Sequence, residues 1–125
     1  LVDTHTFLWF DNEPAKLSSK AAQLLADPNH RVLLSAVSVW ELVIKLQLGK
    51  LTLRDDVRVV VDDHVARNAV ELLDVNAGHV YAVGGLPLIH KDPFDRLLAA
   101  QAIAEGATLL TADPIFQQYP VRTDW

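Results

Sequence analysis

The 125-residue sequence has no cysteine and no methionine. Without cysteine there can be no disulfide and no thiolate metal site, and the composition fits a reducing compartment, so a cytoplasmic location is expected. Glycine and proline are sparse, at five and six residues, which excludes a low-complexity or collagen-like chain. No apolar run approaches the roughly 20 residues of a membrane span, and no secretory signal is visible, so no membrane partner is expected. Basic residues are also in deficit, 11 Lys and Arg against 16 Asp and Glu, for a formal charge of −5. Broad, nonspecific binding to nucleic acid normally needs a basic surface, so the balance argues against it. That objection weakens if several acids converge on divalent cations, because two such ions would bring −5 to about −1 and reverse the local field. There is no Gly-rich phosphate loop, no nucleophile elbow and no histidine pair at zinc spacing. A phosphoacceptor receiver is disfavoured as well, since Asp3 is single and no lysine follows Thr111.

Half the residues are apolar. With no linker or repeat, one domain over 1–125 is expected, large enough for a real core. Leu1-Val2-Asp3 reads as a buried strand ending in a carboxylate, so a natural start only a residue or so upstream is expected. An apolar helix through Phe7-Leu8-Trp9-Phe10 follows, then a helix at 20–26 capped by Ser18 or Ser19. Residues 31–35 read as a second strand, and Ser38-Val39-Trp40-Glu41 opens a helix to Leu48 that Gly49 stops. A helix over 55–68, a strand over 70–75 and a short helix capped by Asn76 come next. Thr108–Thr111 is another buried strand, and Val121-Arg122 a last short one. Short apolar strands alternating with helices predict an α/β fold, a mostly parallel sheet covered on both faces.

The stretch from His90 to Ala102 organises the rest. Asp92 can cap a helix that Pro93 begins, and Gly106 closes it after Glu105. At about 100° per residue, Asp95 shares a stripe with Leu98, Ala99, Ala102 and Ile103, while Gln101 and Glu105 mark the polar side. A carboxylate on an apolar face needs a cation, donors or a raised pKa, because burying it unpaired costs several kcal/mol.

In parallel sheets ligands bind beyond the carboxyl ends of the strands. Asp3 and Asp113 stand at or just past such ends, and Glu41 and Asp95 lie in first turns of helices that follow them. Each acid has a structural role open to it. Asp3 and Asp113 suit turns, Glu41 fits a capping box with Ser38 or a pair with Lys45, and Asp92 is sufficient as a cap. Together they form an acidic cluster on one edge, and hard oxygen ligands select Mg²⁺ or Mn²⁺. His5, His30, His64, His79 and His90 read as surface or hydrogen-bonded residues; His90 and Lys91 precede the acidic turn and could meet a phosphate, with a solvated loop as the favoured reading.

Four motifs in register carry a resemblance that spans essentially the whole chain. Leu-Val-Asp3-Thr, Trp40-Glu41-Leu, Asp95-Arg-Leu-Leu-Ala-Ala-Gln-Ala and Leu-Thr111-Ala-Asp113-Pro-Ile-Phe116 resemble the PIN domain, specifically the VapC-type toxins of bacterial toxin–antitoxin pairs. The resemblance implies a three-layer α/β/α fold and a metal-dependent endoribonuclease. It matches Asp3, Glu41, Asp95 and Asp113 to an acidic quartet that holds Mg²⁺ or Mn²⁺, and Thr111 to a hydroxyl near the fourth acid. Asp92 goes beyond the quartet and is placed behind it. A small antitoxin, an RNA substrate and a homodimer are implied too. The alternative is a catalytically weak protein-binding module, and a DNA nuclease is discouraged by the lack of a basic groove. Phe7 to Phe10 cannot all face one core, and the Trp40 helix is apolar nearly all round. Trp9 and Trp40 are therefore expected to border a partner groove, unless the 55–68 helix covers them.

Overall fold

A computed structural model describes all 125 residues. Its sheet is built outward from the amino-terminal segment, where Val2 bridges in parallel to Leu34 on one side and Leu110 on the other. The strands are β1 (Val32–Ser35), β2 (Val70–Leu73), β3 (Leu109–Leu110) and β4 (Thr123–Asp124). β1 pairs with β2 in parallel, Val32 opposite Val70, and β3 pairs with β4, Leu109 opposite Thr123. The order across the sheet is thus β2, β1, the Val2 segment, β3, β4. The chain leaves the centre toward one side and later returns to fill the other. That reversal puts the topological switch point between Asp3 and the end of β3.

Successive residues face opposite sides, as pleating requires. Val2, Leu34 and Leu110 join a core with Phe7, Ala21, Leu25, Leu42, Val60 and Val61. Their neighbours Leu1 and Leu109 join a second core with Leu98, Ala99, Ala102, Phe116 and Tyr119. The first core is covered by α1 (Thr4–Asn12), α2 (Ser19–Ala26), α3 (Ala36–Gln47) and α4 (Val57–Asn68), the second by α5 (Ala77–Val83) and α6 (Pro93–Ala104). The result is the expected three-layer α/β/α arrangement.

Helix boundaries follow their caps. Ser18, Asp56, Asn76 and Asp92 each accept a backbone N–H from the first turn of their helix. Gly49 and Gly106, at φ +67° and +62°, stop α3 and α6 in the left-handed region where glycine has no Cβ penalty. α4 ends the same way at Ala69, φ +51°, with a side chain that penalises the conformation.

Four local expectations are corrected. α3 starts at Ala36, capped by Ser35 as it leaves β1, so Ser38 and Glu41 form no capping box. The last strand is Thr123–Asp124, because its carbonyl and amide register is set by β3 rather than by the apolar Val121. Gln101 does not mark a polar side. It is fully buried, accepts a hydrogen bond from Ser35 Oγ and donates to the Asp74 carbonyl at 3.3 Å. Ile103, placed on the apolar stripe by periodicity, is instead 40 % exposed.

The apolar stretch of α1 is largely absorbed. Phe7 is buried, and α4 lays His64 against both Phe7 and Phe10, at ring separations of 5.0 and 4.8 Å. His64 Nε2 is 3.0 Å from Asp11 Oδ1, which also accepts from Arg54 Nε at 2.8 Å. The 57–68 helix thus covers Phe7 and Phe10 through a polar clasp. Trp9 is half-buried against Trp125, whereas Trp40 is 58 % exposed and rests edge-on against Phe94.

Candidate functional site

The carboxyl edge at the switch point gathers the acids, each held by its own local geometry. Asp3 ends the central segment in extended backbone and caps α1, its Oδ1 accepting the Thr6 N–H at 2.6 Å. Its Oδ2 accepts from the Thr111 hydroxyl at the end of β3. The same Thr111 oxygen accepts the Asp113 N–H at 3.1 Å, so one side chain ties the first and fourth acids across adjacent strands. The carboxylate of Asp113 turns back to cap the 3₁₀ turn Pro114–Gln118 and is solvent-exposed.

Glu41 is buried on the second turn of α3. Its Oε2 accepts from the Thr4 hydroxyl at 2.6 Å, and its Oε1 pairs with Lys45 Nζ at 2.8 Å, one helical turn on. The partnership with Lys45 is the one anticipated; that with Thr4 joins Glu41 to the residue beside Asp3. One turn earlier on the same face, the buried Ser38 hydroxyl has no partner. An orphaned buried hydroxyl costs about 1–3 kcal/mol, which a water or ligand oxygen at this edge would relieve.

Asp95 enters from α6. Asp92 Oδ1 caps that helix by accepting from Phe94 and Asp95, at 2.8 and 3.3 Å. Burial drives the Asp95 pKa up from 3.8 to about 6, and the negative charges of Asp92 and Glu41 push the same way. The hydrogen bond from His90 Nε2 to Asp95 Oδ2, 2.9 Å long, opposes that rise without cancelling it. His90 is therefore not a solvated loop residue. Its backbone N–H donates to the Tyr119 hydroxyl at 2.9 Å, which anchors the loop over the acids.

The four acids are linked through hydroxyls and through charge rather than packed into one group. The group whose ligand atoms lie within 4.8 Å of one another is His90, Asp92 and Asp95. Asp92 has the capping role its sequence position offered, and its carboxylate also lies within that group. A cavity of about 390 Å³ opens at the opposite edge among Leu1, Leu24, His30, Arg31 and Thr108, and none of the four acids lines it. No helix is long and apolar enough to cross a membrane.

Residues 1–121 match the family described as the PIN domain, and the chain belongs to that family. Two solved structures share its fold. One is VapBC2 from Rickettsia felis bound to a DNA fragment from its promoter, at TM-score 0.74 and 23 % identity, covering 98 % of this chain and 95 % of that one. The other is VapBC-1 from nontypeable Haemophilus influenzae, at TM-score 0.67 and 24 % identity, covering 98 % and 94 %. No curated protein matches the sequence.

Proposed function

We propose that this PIN domain is a VapC-type toxin, a divalent-metal-dependent endoribonuclease restrained by a small antitoxin protein. The observation that carries the reading is the uncompensated negative charge on α6. Asp95 is half-buried beside Asp92 and Glu41, and His90 is the only basic group in ion-pair contact with it. Carboxylate oxygens from four parts of the chain, with the orphaned Ser38 hydroxyl on the Glu41 face, fit a hard cation such as Mg²⁺ or Mn²⁺. Asp3, Asp95, Glu41 and Asp113 are the residues that would hold it.

When bound, such an ion lowers the pKa of a coordinated water and offsets the charge of a phosphodiester under in-line attack. The protein's part is positional. Thr111 fixes the rotamer of Asp3, Thr4 and Lys45 fix Glu41, and the α6 cap orients Asp95. No side chain at this edge is an obvious general base other than His90, which is already engaged with Asp95. The substrate class, a structured RNA, and the antitoxin partner are read from the resemblance to VapC-type toxins. Trp40, exposed and packed on Phe94 of the Asp95 helix, is one aromatic anchor proposed for that partner, and Trp9 is the second.

One observation favours a second reading, a catalytically weak module that binds a protein partner. Both oxygens of Asp3 and both of Glu41 already have protein donors. Calorimetric titration of Mn²⁺ separates the two. The nuclease reading expects binding at micromolar to millimolar strength, abolished by Asp3→Ala. Absence of heat with the wild-type chain establishes the binding module instead.

A further inference from the structure

Asp92 and His90 are not needed to build a four-acid site, yet their ligand atoms and that of Asp95 lie within 4.8 Å of one another. Both carboxylates keep a free oxygen. Asp92 Oδ1 is engaged by the α6 amides, and its Oδ2 takes no protein donor. Asp95 Oδ2 accepts from His90, and its Oδ1 takes none. By contrast Asp3 and Glu41 have both oxygens engaged. Asp113 keeps one oxygen free, but its carboxylate turns to solvent. The free oxygens that lie within reach of one another are therefore on the α6 side, and one of the groups bordering them is an imidazole. The loop that carries it is pinned through the Tyr119 hydroxyl, so the ring is delivered to a defined place.

We infer that His90, Asp92 and Asp95 form a mixed nitrogen–oxygen cation subsite, in which His90 Nε2 is a metal ligand and the site prefers transition-metal ions to Mg²⁺. The inference rests on the metal-dependent reading above and adds a donor that the acidic quartet does not contain. Imidazole suits first-row transition ions, whereas Mg²⁺ keeps oxygen and water ligands. Rotation of the ring nitrogen from Asp95 Oδ2 to an ion frees that oxygen to bind the same ion. Asp92 contributes through Oδ2 without giving up the cap, because the two oxygens have separate partners.

The test uses the full chain loaded with Mn²⁺ and electron spin-echo modulation, which reads a coordinated ¹⁴N directly. The wild type should show imidazole nitrogen on the ion. His90→Gln should lose that signal, while His5→Gln, which alters the exposed histidine near Asp3, should retain it. Asp92→Asn gives a second readout that does not disturb folding, since asparagine caps a helix as well as aspartate. It should weaken Mn²⁺ binding about tenfold or more, the usual scale for a lost metal-site partner, with the helix intact by circular dichroism. His90→Gln should weaken Mn²⁺ by a similar factor and leave Mg²⁺ affinity within about twofold. Nitrogen coordination that is absent from the wild type or survives His90→Gln overturns the subsite, as does unchanged Mn²⁺ affinity in Asp92→Asn. Failure of the wild type to bind either ion overturns the metal-dependent reading itself, which distinguishes the two failures.

Discussion

Asp95 is costly to the fold in the absence of an ion, and the cost has a definite pH dependence. Its pKa rises from 3.8 in the unfolded chain to about 6 in the native protein. Folding therefore favours its protonated form. Below about pH 3 the residue is neutral in both states and carries no penalty. Between about pH 4 and pH 6 the unfolded state ionises first, so stability falls as pH rises, and above pH 7 the whole penalty is present. A rise of about two pH units corresponds to at most about 3 kcal/mol. The side chain is 23 % exposed, and solvent screening brings the expected figure to about 1–2 kcal/mol. Asp95→Asn removes the charge, keeps the size and leaves an oxygen to accept from His90. Urea unfolding followed by tryptophan fluorescence in chelator should show the variant more stable than wild type by about 1–2 kcal/mol at pH 8, and equal to it at about pH 3. Saturating Mg²⁺ should reverse the order at pH 8, because only the wild type gains from binding. A stability difference independent of pH, or a variant weaker than wild type at pH 8 in chelator, refutes the reasoning.

Particular contacts set the outcomes of substitutions at four further positions. Thr111→Val deprives the buried Asp3 carboxylate of a donor and the Asp113 amide of an acceptor, and should cost about 1–3 kcal/mol in urea unfolding, with Thr111→Ser close to wild type. Ala69→Gly relieves a left-handed alanine at the end of α4 and should stabilise by about 0.5–1 kcal/mol, whereas any loss in the same assay contradicts the strain. Trp40→Ala should weaken binding of a co-expressed antitoxin by about 2 kcal/mol, with a stability loss of at most about 1 kcal/mol from the contact with Phe94. Trp9→Ala should reduce both affinity and stability, since Trp9 also packs on Trp125. Unchanged antitoxin affinity in both variants places the groove elsewhere.

The layers, the caps of α2, α5 and α6 and the edge that carries the acids are legible because their signals are local. Asp92-Pro93 caps α6 where the chain chemistry requires it, and β1, β2 and β3 announce themselves as apolar runs between helices, whereas the polar β4 does not. What escaped the sequence depends on distant partners. Gln101 looked solvent-facing because its mates are Ser35, 66 positions away, and the Asp74 carbonyl. His90 became a site residue only once Tyr119 held its backbone, and the Asp11–His64–Arg54 clasp joins helices through groups that periodicity counts as polar surface. The cap of α3 was misjudged by three residues because Ser35 ends β1 and begins the helix with no loop between. Within the site, the four acids could be assigned to one edge, but their unequal occupancy by Thr4, Thr6, Thr111 and Lys45 is a tertiary property that no spacing encodes.

The central claim is that this acidic edge cuts RNA with the help of a divalent ion, and cleavage itself is the direct measurement. Purified chain incubated with structured RNA should cleave it in Mg²⁺ or Mn²⁺ and stop when chelator is added. Asp95→Asn, prepared identically and shown to be folded, should cut at least about a hundredfold more slowly, the scale of losing one charge-stabilising group at a reacting centre. Equal cleavage by wild type and Asp95→Asn, or cleavage that persists in chelator, would contradict the account.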